Sequence, residues 1–128
     1  MAKIAFIQNI IFEYLGLMYI SSILKNRHTV EMFLKHRRDE SLLKEVLTYQ
    51  PDIVAFSCTT GVHKWCLKIA ALIKNYNPKI LTLFGGPHPT FFPEIVNEST
   101  ETFFLCYKVS KCISPNKKAN KITTKYLF

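Results

Sequence analysis

The sequence has no apolar run that approaches the roughly 20 residues of a membrane-spanning helix. Its most apolar region, residues 4–24, is interrupted by polar residues that include Gln8, Asn9 and Glu13. The amino-terminal residues also lack the basic segment, the apolar segment and the small-residue cleavage site of a secretory signal. We therefore expect a cytoplasmic protein that does not bind a membrane.

Four cysteines are present, but none of them is spaced as CxxC or CxxxCxxC. They are Cys58, Cys66, Cys106 and Cys112. Those spacings are typical of zinc sites and iron–sulfur clusters, in which neighbouring thiolates converge on one metal centre. Their absence predicts no metal ligands and no iron–sulfur motif in this chain, and in the cytoplasm the thiols are expected to be reduced.

Acidic residues are absent from the last part of the chain. The net charge of +8 divides into +2 for residues 1–107, with 11 basic and 9 acidic residues, and +6 for residues 108–128, with six lysines. We therefore predict an α/β domain over residues 1–107 and a basic, disordered tail over residues 108–128. The lysines are scattered, without aromatic interleaving or an amphipathic period, so a solvated tail is favoured over contact with nucleic acid or an anionic membrane.

What the chain does contain is an alternation of short apolar runs and amphipathic segments. Strands are predicted over residues 3–8, 28–33, 52–57 and 79–84, and helices over residues 15–25, 41–50 and 62–75, with Ser41 as an N-cap. This alternation is typical of a doubly wound parallel sheet. Because the first strand is not followed by GxGxxG, we predict the flavodoxin-like (Rossmann-like) strand order 2-1-3-4-5.

The pattern weakens after about Glu98. A fourth helix is predicted to open over residues 91–96 with Pro93 in its first turn, and a fifth strand over residues 102–107. No closing helix follows in the sequence. A missing last helix would leave one face of the sheet partly bare, and such a patch favours self-association.

In the predicted strand order, the loops after the first and third strands flank a crevice at the carboxyl edge of the sheet, and the fourth strand delivers Gly85 and Gly86 to the same edge. Two glycines allow a ligand to approach the backbone and allow positive φ. The alternative is that the two glycines form an ordinary strand-to-loop reversal.

The loop of residues 57–61 offers hydroxyls and backbone N–H groups at a helix N-terminus, which suits phosphate or a polar ligand tail. Its alternative is a capping turn with Thr59 or Thr60 as the N-cap.

No catalytic constellation accompanies these loops. His88 lies between two prolines and is expected to be either a structural residue or a ligand contact, and His63 is expected to face solvent in the first turn of a helix. Cys58 has no partnering histidine in register, and Glu13 is a lone carboxylate. The residues therefore favour binding over catalysis.

Several segments resemble one known family, the N-terminal cobalamin-binding domain of cobalamin-dependent radical S-adenosylmethionine (radical SAM) enzymes. The resemblance covers roughly residues 3–97. The matching segments are residues 15–20 (LGLMYI), 51–57 (PDIVAFS), 84–90 (FGGPHPT) and 92–94 (FPE). The resemblance implies a flavodoxin-like domain that holds cobalamin across the carboxyl edge of its sheet.

The resemblance also implies a set of cofactor contacts. The loops after the third and fourth strands would line the groove for the nucleotide tail of cobalamin, with Gly16 near the corrin. The expected contacts are Gly16, Ser57, Thr59, Thr60, Gly61, Gly85, Gly86, Pro87 and His88. In cobalamin mutases a DxHxxG motif supplies the histidine that coordinates cobalt. Ile11, Glu13 and Gly16 would occupy those positions here, so no protein nitrogen from that loop is expected to bind the metal.

The family continues into a radical SAM domain with a CxxxCxxC motif, which this sequence lacks. The resemblance therefore predicts a truncated cobalamin-binding module of a radical SAM methyltransferase-type enzyme, without catalysis of its own and with the radical SAM domain as its missing partner. The alternative is a vestigial or regulatory flavodoxin-like domain that binds a nucleotide or flavin through residues 59–61. Residues 9–14 lack the Ser, Thr and Gly content of a flavodoxin phosphate loop, which disfavours this alternative.

Overall fold

A computed structural model describes residues 1–9, 14–35, 38–92, 94–95 and 102–105. Its elements are β1 (Lys3–Gln8), α1 (Leu15–Leu24), β2 (Thr29–Leu34), α2 (Asp39–Tyr49), β3 (Ile53–Ser57), α3 (His63–Tyr76), β4 (Leu81–Gly85), α4 (Pro87–Phe91) and β5 (Thr102–Leu105). None of the helices in these ranges is long and apolar enough to cross a membrane.

All strand pairs in the sheet are parallel. β1 lies between β2 and β3, β4 follows β3, and the backbone of β5 pairs with β4. The order 2-1-3-4 confirms the flavodoxin-like α/β prediction. The strand order reverses at β1: β2 lies on one side of β1, whereas β3 and β4 lie on the other. At the carboxyl edge, Ser57 of β3 is in register with Gly85 of β4.

Helices α2 and α3 cover one face of the sheet. Their buried residues Val46, Ile69 and Ile73 pack with sheet residues that include Val54 and Phe84. Helix α1 covers the opposite face, where Leu17 packs with a second group of sheet residues. That group consists of Ile4, Phe6, Val30, Ile53, Ala55 and Leu83. Both faces of the central strands are therefore buried, which is why β1 and β3 are nearly continuous apolar runs.

The buried side of α3 is not the side with its largest apolar residues. Trp65, Ile69, Leu72 and Tyr76 form one apolar stripe along the helix, but the buried residues are Cys66, Ile69, Ala70 and Ile73, and Leu72 is 40% exposed. These smaller residues recur at helical spacing and allow α3 to lie close to the sheet. Trp65 lies at the rim, where its Nε1 donates to Asp39 Oδ1 at 2.9 Å.

Helix α2 begins earlier than predicted. Its N-cap is Arg38, which makes no side-chain capping hydrogen bond, and Ser41 lies inside the helix, so the prediction of Ser41 as the cap is wrong. Asp39 and Glu40 occupy the first turn. Carboxylates at this position stabilise a helix through its dipole, and this favours the earlier start.

The segment after the two glycines is also helical rather than a loop. Helix α4 begins at Pro87 and ends at Phe91, so the prediction of a helix opening at Phe91 is wrong. Proline is favoured in the first turn of a helix because its missing N–H would have no partner there. Pro93 lies outside the described residues.

The partly bare sheet face stays a prediction, because the residues after β5 lie outside the described part of the chain. On the face that α1 covers, Ile4, Phe6, Ile53 and Leu83 are each less than a tenth exposed. Several large apolar side chains of α1 are exposed, among them Leu15, Tyr19 and Ile23. The predicted tail of residues 108–128, the missing last helix and the positions of Ile11 and Glu13 lie outside the described residues.

Candidate functional site

Backbone hydrogen bonds join two segments at the carboxyl edge of the sheet. The Cys58 N–H donates to the Gly85 carbonyl at 2.8 Å, and the His88 N–H donates to the Cys58 carbonyl at 3.0 Å. The first bond extends the β3–β4 ladder by one residue, and the second ties α4 to the start of the β3–α3 loop, residues 58–62. The structure therefore brings residues 57–61 and 85–88 together, as the sequence predicts.

Gly86 is required by the internal geometry of this edge. Its φ is +101°, and a Cβ atom built on it would lie 2.9 Å from the Cys58 carbonyl oxygen and 3.1 Å from the Cys58 nitrogen. Side chains rarely adopt this conformation, and backbone atoms cannot withdraw easily from such a contact. The glycine pair predicted that another group lies close to this backbone. At Gly86, that group is the backbone of Cys58 in the same protein.

Gly61 differs from Gly86 because it faces open space. Its φ is also +101°, but no atom lies within 4 Å of a Cβ built on it. It immediately precedes Val62, which is the N-cap of α3 and makes no side-chain capping hydrogen bond. The alternative in which Thr59 or Thr60 caps α3 is therefore wrong.

The amino terminus of α3 fits a negatively charged group. Within the described part of the chain, its N-cap residue Val62 makes no side-chain capping hydrogen bond, and its first turn contains no acidic residue. The first N–H groups of a helix lack intrahelical partners and carry a partial positive charge, so they bind phosphate well. Two half-buried hydroxyl residues precede this helix: Ser57 ends β3, and Thr59 lies on the β3–α3 loop. This arrangement suits the phosphate of a nucleotide tail.

His88 is buried in contacts within the protein. Its side chain is on α4, and the residue is only 8% exposed. Its Nδ1 lies 3.0 Å from the Thr60 hydroxyl. Its ring stacks on the His63 ring, with 4.0 Å between centroids and 12° between planes, and packs against Phe92 at 5.0 Å. Of the two alternatives for His88, these contacts favour a structural residue over a ligand contact.

Two contributors to the site were missed in the sequence. His63 is half-buried against His88 rather than facing solvent, so that prediction is wrong. Phe92 belongs to the predicted fourth helix and to the matching segment 92–94, but the sequence does not indicate its contact with His88. The strand order could have predicted that the two histidines lie close together. His63 and His88 each follow the carboxyl end of one of two adjacent strands, and parallel strands bring such positions to one edge of the sheet.

Cys58 and Cys66 form a buried thiol pair below this edge. The hydrogen bond to Cys58 and the burial of the side chain hold the pKa of the Cys66 thiol well above its usual range. A thiol with a raised pKa stays protonated at neutral pH and is a poor nucleophile or metal ligand. Among the described residues, no group of three or more His, Cys, Asp and Glu side chains is placed to hold a metal ion.

Gly16 stands apart from the other predicted contacts. It lies in the first turn of α1, is exposed, and has no atom within 4 Å of a Cβ built on it. Neither its packing nor its φ requires glycine. Pro87 is exposed at the first position of α4. Both residues are therefore accessible to a ligand. That they contact cobalamin stays a prediction.

A separate groove lies at the opposite, amino edge of the sheet. Its volume is about 660 Å³, and it is lined by residues at the starts of β1, β3 and β4 that include Ala2, Asp52 and Leu81, with His28 beside them. Ligands of open parallel sheets bind outside the carboxyl ends of the strands. The candidate site is therefore the carboxyl edge.

The sequence profile of the B12 binding domain matches residues 11–106, which is more than half of the chain. The protein belongs to the B12-binding domain family. This membership confirms the cofactor predicted from the resemblance, which is cobalamin. The match runs from the residues before α1 through β5 and includes both segments of the carboxyl-edge site.

The chain is also similar to individual proteins. An uncharacterized methyltransferase of Pyrococcus horikoshii is 32% identical over 84 residues, which are 63% of this chain and 18% of the relative. The cobalamin-dependent radical SAM enzyme OxsB with aqua-cobalamin bound matches 99% of this chain and 19% of its own, with a TM-score of 0.72 and 20% identity. A cobalamin-binding protein of Desulfitobacterium hafniense matches 98% of this chain and 58% of its own, with a TM-score of 0.66 and 14% identity.

The two structural likenesses show the fold, because their sequence identities are low. The chain spans about a fifth of the length of the methyltransferase and of OxsB. It is thus a cobalamin-binding domain similar to the one in these longer proteins.

Proposed function

We propose that this domain holds cobalamin at the carboxyl edge of its sheet and serves as the cofactor module of a radical SAM methyltransferase-type enzyme. The observation that carries the proposal is the uncapped amino terminus of α3 beside Gly61, because this position can receive the phosphate of the nucleotide tail. The domain arrangement of such an enzyme is suggested by the much longer relatives that contain a matching region.

Each segment of the edge has a role in this proposal. The N–H groups at the start of α3 bind the tail phosphate, and the hydroxyls of Ser57 and Thr59 donate to polar atoms of the tail. Gly85 and Pro87 form the opposite wall of the groove. Gly16, which has no structural need for a small residue, allows the corrin to approach α1.

Cobalamin supplies the chemistry in this arrangement, as a carrier of a methyl group. The residues of this chain bind and orient the cofactor, and His63 and His88 are engaged with each other rather than placed as an acid–base pair. We therefore propose that methyl transfer requires a radical SAM domain supplied by further polypeptide and that this domain has no catalysis of its own.

The other candidate is a flavodoxin-like domain that binds a flavin or nucleotide. It would use the same amino terminus of α3, because FMN also carries a phosphate. Incubating the purified protein separately with hydroxocobalamin and FMN, followed by desalting, distinguishes the two. We expect near-stoichiometric retention of the corrin absorption and none of the flavin. Retention of FMN without corrin would support the alternative and contradict the proposal.

The exposed face of α1 suggests a second copy of this chain as a partner. Leu15, Tyr19 and Ile23 are 78%, 71% and 53% exposed, and no residue of α1 is charged. Met18 and Ile20 extend this exposed apolar face. Two such faces can pack without charge repulsion, so we propose weak self-association of the cobalamin-free domain through α1. Gly16 lies on the same face as Tyr19 and Ile23, so bound corrin would compete with the second copy.

A further inference from the structure

We propose that Thr60, His63 and His88 form a latch that holds the β3–α3 loop against α4 and so keeps the groove for the cobalamin tail formed before the cofactor arrives. This inference rests on the proposed function. It assigns the three side chains as positioning residues that act through the loop, in place of the direct cofactor contacts predicted for Thr60 and His88.

The bond between Thr60 and His88 is the first part of the latch. It joins positions 28 residues apart in the sequence, at 3.0 Å from Oγ1 to Nδ1. His88 is 8% exposed, so its ring nitrogen depends on a protein partner rather than on bulk water. The bond therefore fixes Thr60, which lies immediately before Gly61 and the α3 terminus.

His63 closes the other side of the same loop. Its ring lies flat on the His88 ring at 4.0 Å, and its Nδ1 accepts a hydrogen bond from the Gly61 N–H at 3.4 Å. Phe92 packs against His88, and the His88 backbone N–H bonds the Cys58 carbonyl. Both flanks of Gly61 are thus attached to α4.

Attachment matters because Gly61 has no packing contact of its own. A loop with a positive-φ glycine and open space beside it would otherwise sample many conformations. Ordering such a loop on binding lowers affinity, and a loop that is ordered beforehand avoids that loss. We expect disruption of the latch to weaken cobalamin binding by about 5- to 30-fold.

The test compares Thr60→Val, which removes the hydroxyl at nearly constant shape, with Thr60→Ser, which retains it. Thr48→Val is the matched control, because the Thr48 hydroxyl donates to the Lys44 carbonyl within α2 and lies outside this loop in the sequence. Two quantities are measured: hydrogen exchange of the Val62 and His88 amides in cobalamin-free protein, and the affinity for hydroxocobalamin. His63→Ala and His63→Phe test the stack in the same way, since phenylalanine keeps a ring against His88.

We expect Thr60→Val and His63→Ala to accelerate exchange in the loop at least about tenfold and to weaken binding, while Thr60→Ser and Thr48→Val stay near wild type. His63→Phe keeps the stack on His88 but loses the hydrogen bond from the Gly61 N–H, so its exchange rate and affinity should lie between those of wild type and His63→Ala. Weaker binding by Thr60→Val with unchanged exchange would overturn the latch, because it would make Thr60 a direct contact. Faster exchange with unchanged affinity would overturn its role in binding. If wild type itself binds no cobalamin, the proposed function fails, and the exchange data still decide whether the loop is latched.

Discussion

At the residue scale, two glycines that look alike in the sequence have different roles. Gly86 has a positive φ and lies against the Cys58 backbone, whereas Gly16 is exposed inside a helix with open space around it. The sequence could predict that the Gly85-Gly86 pair permits a close approach. It could not predict whose backbone makes the approach, because Cys58 is far away along the chain and only the strand register brings it near.

This difference predicts opposite effects of alanine. Gly86→Ala should lower the free energy of unfolding by about 2–4 kcal/mol, because it combines a strained φ with a backbone clash. Gly16→Ala should raise it by about 0.5–1 kcal/mol, because alanine favours the helix. Urea denaturation of both variants measures the change. Equal, small effects at the two positions would contradict the geometry of the β4–α4 turn.

Asp39 predicts a pH-dependent contribution to stability. The hydrogen bonds from Trp65 and Lys68 lower the pKa of its carboxyl from 3.8 to about 2 in the folded protein. Because the folded pKa is depressed, the contribution is present above about pH 3.8 and is lost as the pH falls towards about 2. Asp39→Asn should therefore lower the free energy of unfolding by about 1 kcal/mol at pH 7, with the difference from wild type vanishing near pH 2.

Denaturation of wild type and Asp39→Asn across this pH range tests the prediction, with Glu40→Gln as a neighbouring control on the same turn. A difference that stayed constant between pH 7 and pH 2 would show that the carboxylate charge is not responsible.

At the element scale, the strands could be predicted within a few residues, because a buried parallel strand requires a continuous apolar run with few alternatives. The helices were harder to predict. The buried side of α3 depends on Trp65 bonding to Asp39 on another helix, and the start of α4 depends on how β4 ends. Both depend on tertiary contacts, which the hydrophobic periodicity of a single segment does not reveal.

The amino terminus of α3 carries the element-scale prediction. Val62→Asp places a carboxylate at the N-cap, where it can accept hydrogen bonds from the first turn and repel phosphate. We expect thermal stability to be unchanged or raised, while cobalamin affinity falls at least about tenfold. Val62→Ala is the matched control, and its affinity should stay near that of wild type. Undiminished binding by Val62→Asp would place the tail phosphate elsewhere.

At the scale of the whole molecule, the exposed α1 face predicts weak self-association. Sedimentation velocity should show a concentration-dependent dimer at tens of micromolar, and Tyr19→Lys should shift it to monomer by placing like charges across the interface. Lys64→Glu on α3 alters charge away from this face and should leave the dimer intact. A clean monomer for wild type at those concentrations would contradict the proposal.

The family could be read from the sequence, because the segments 51–57 and 84–90 keep their order and spacing, and the profile match to residues 11–106 confirms it. Which side chains of the site bond to each other could not be predicted in the same way. The structure shows His88 and Thr60 bonded to each other, and such pairing depends on the distance between two loops rather than on residue type.

The central claim is that this domain binds cobalamin through its nucleotide tail at the carboxyl edge. Equilibrium dialysis of the wild-type protein against hydroxocobalamin and against cobinamide, which has the corrin but no nucleotide tail, tests it most directly. The account predicts one cobalamin bound per chain and an affinity for cobinamide at least about tenfold weaker, because the phosphate contact at α3 is lost. Equal affinities for the two, or binding of neither, would contradict it.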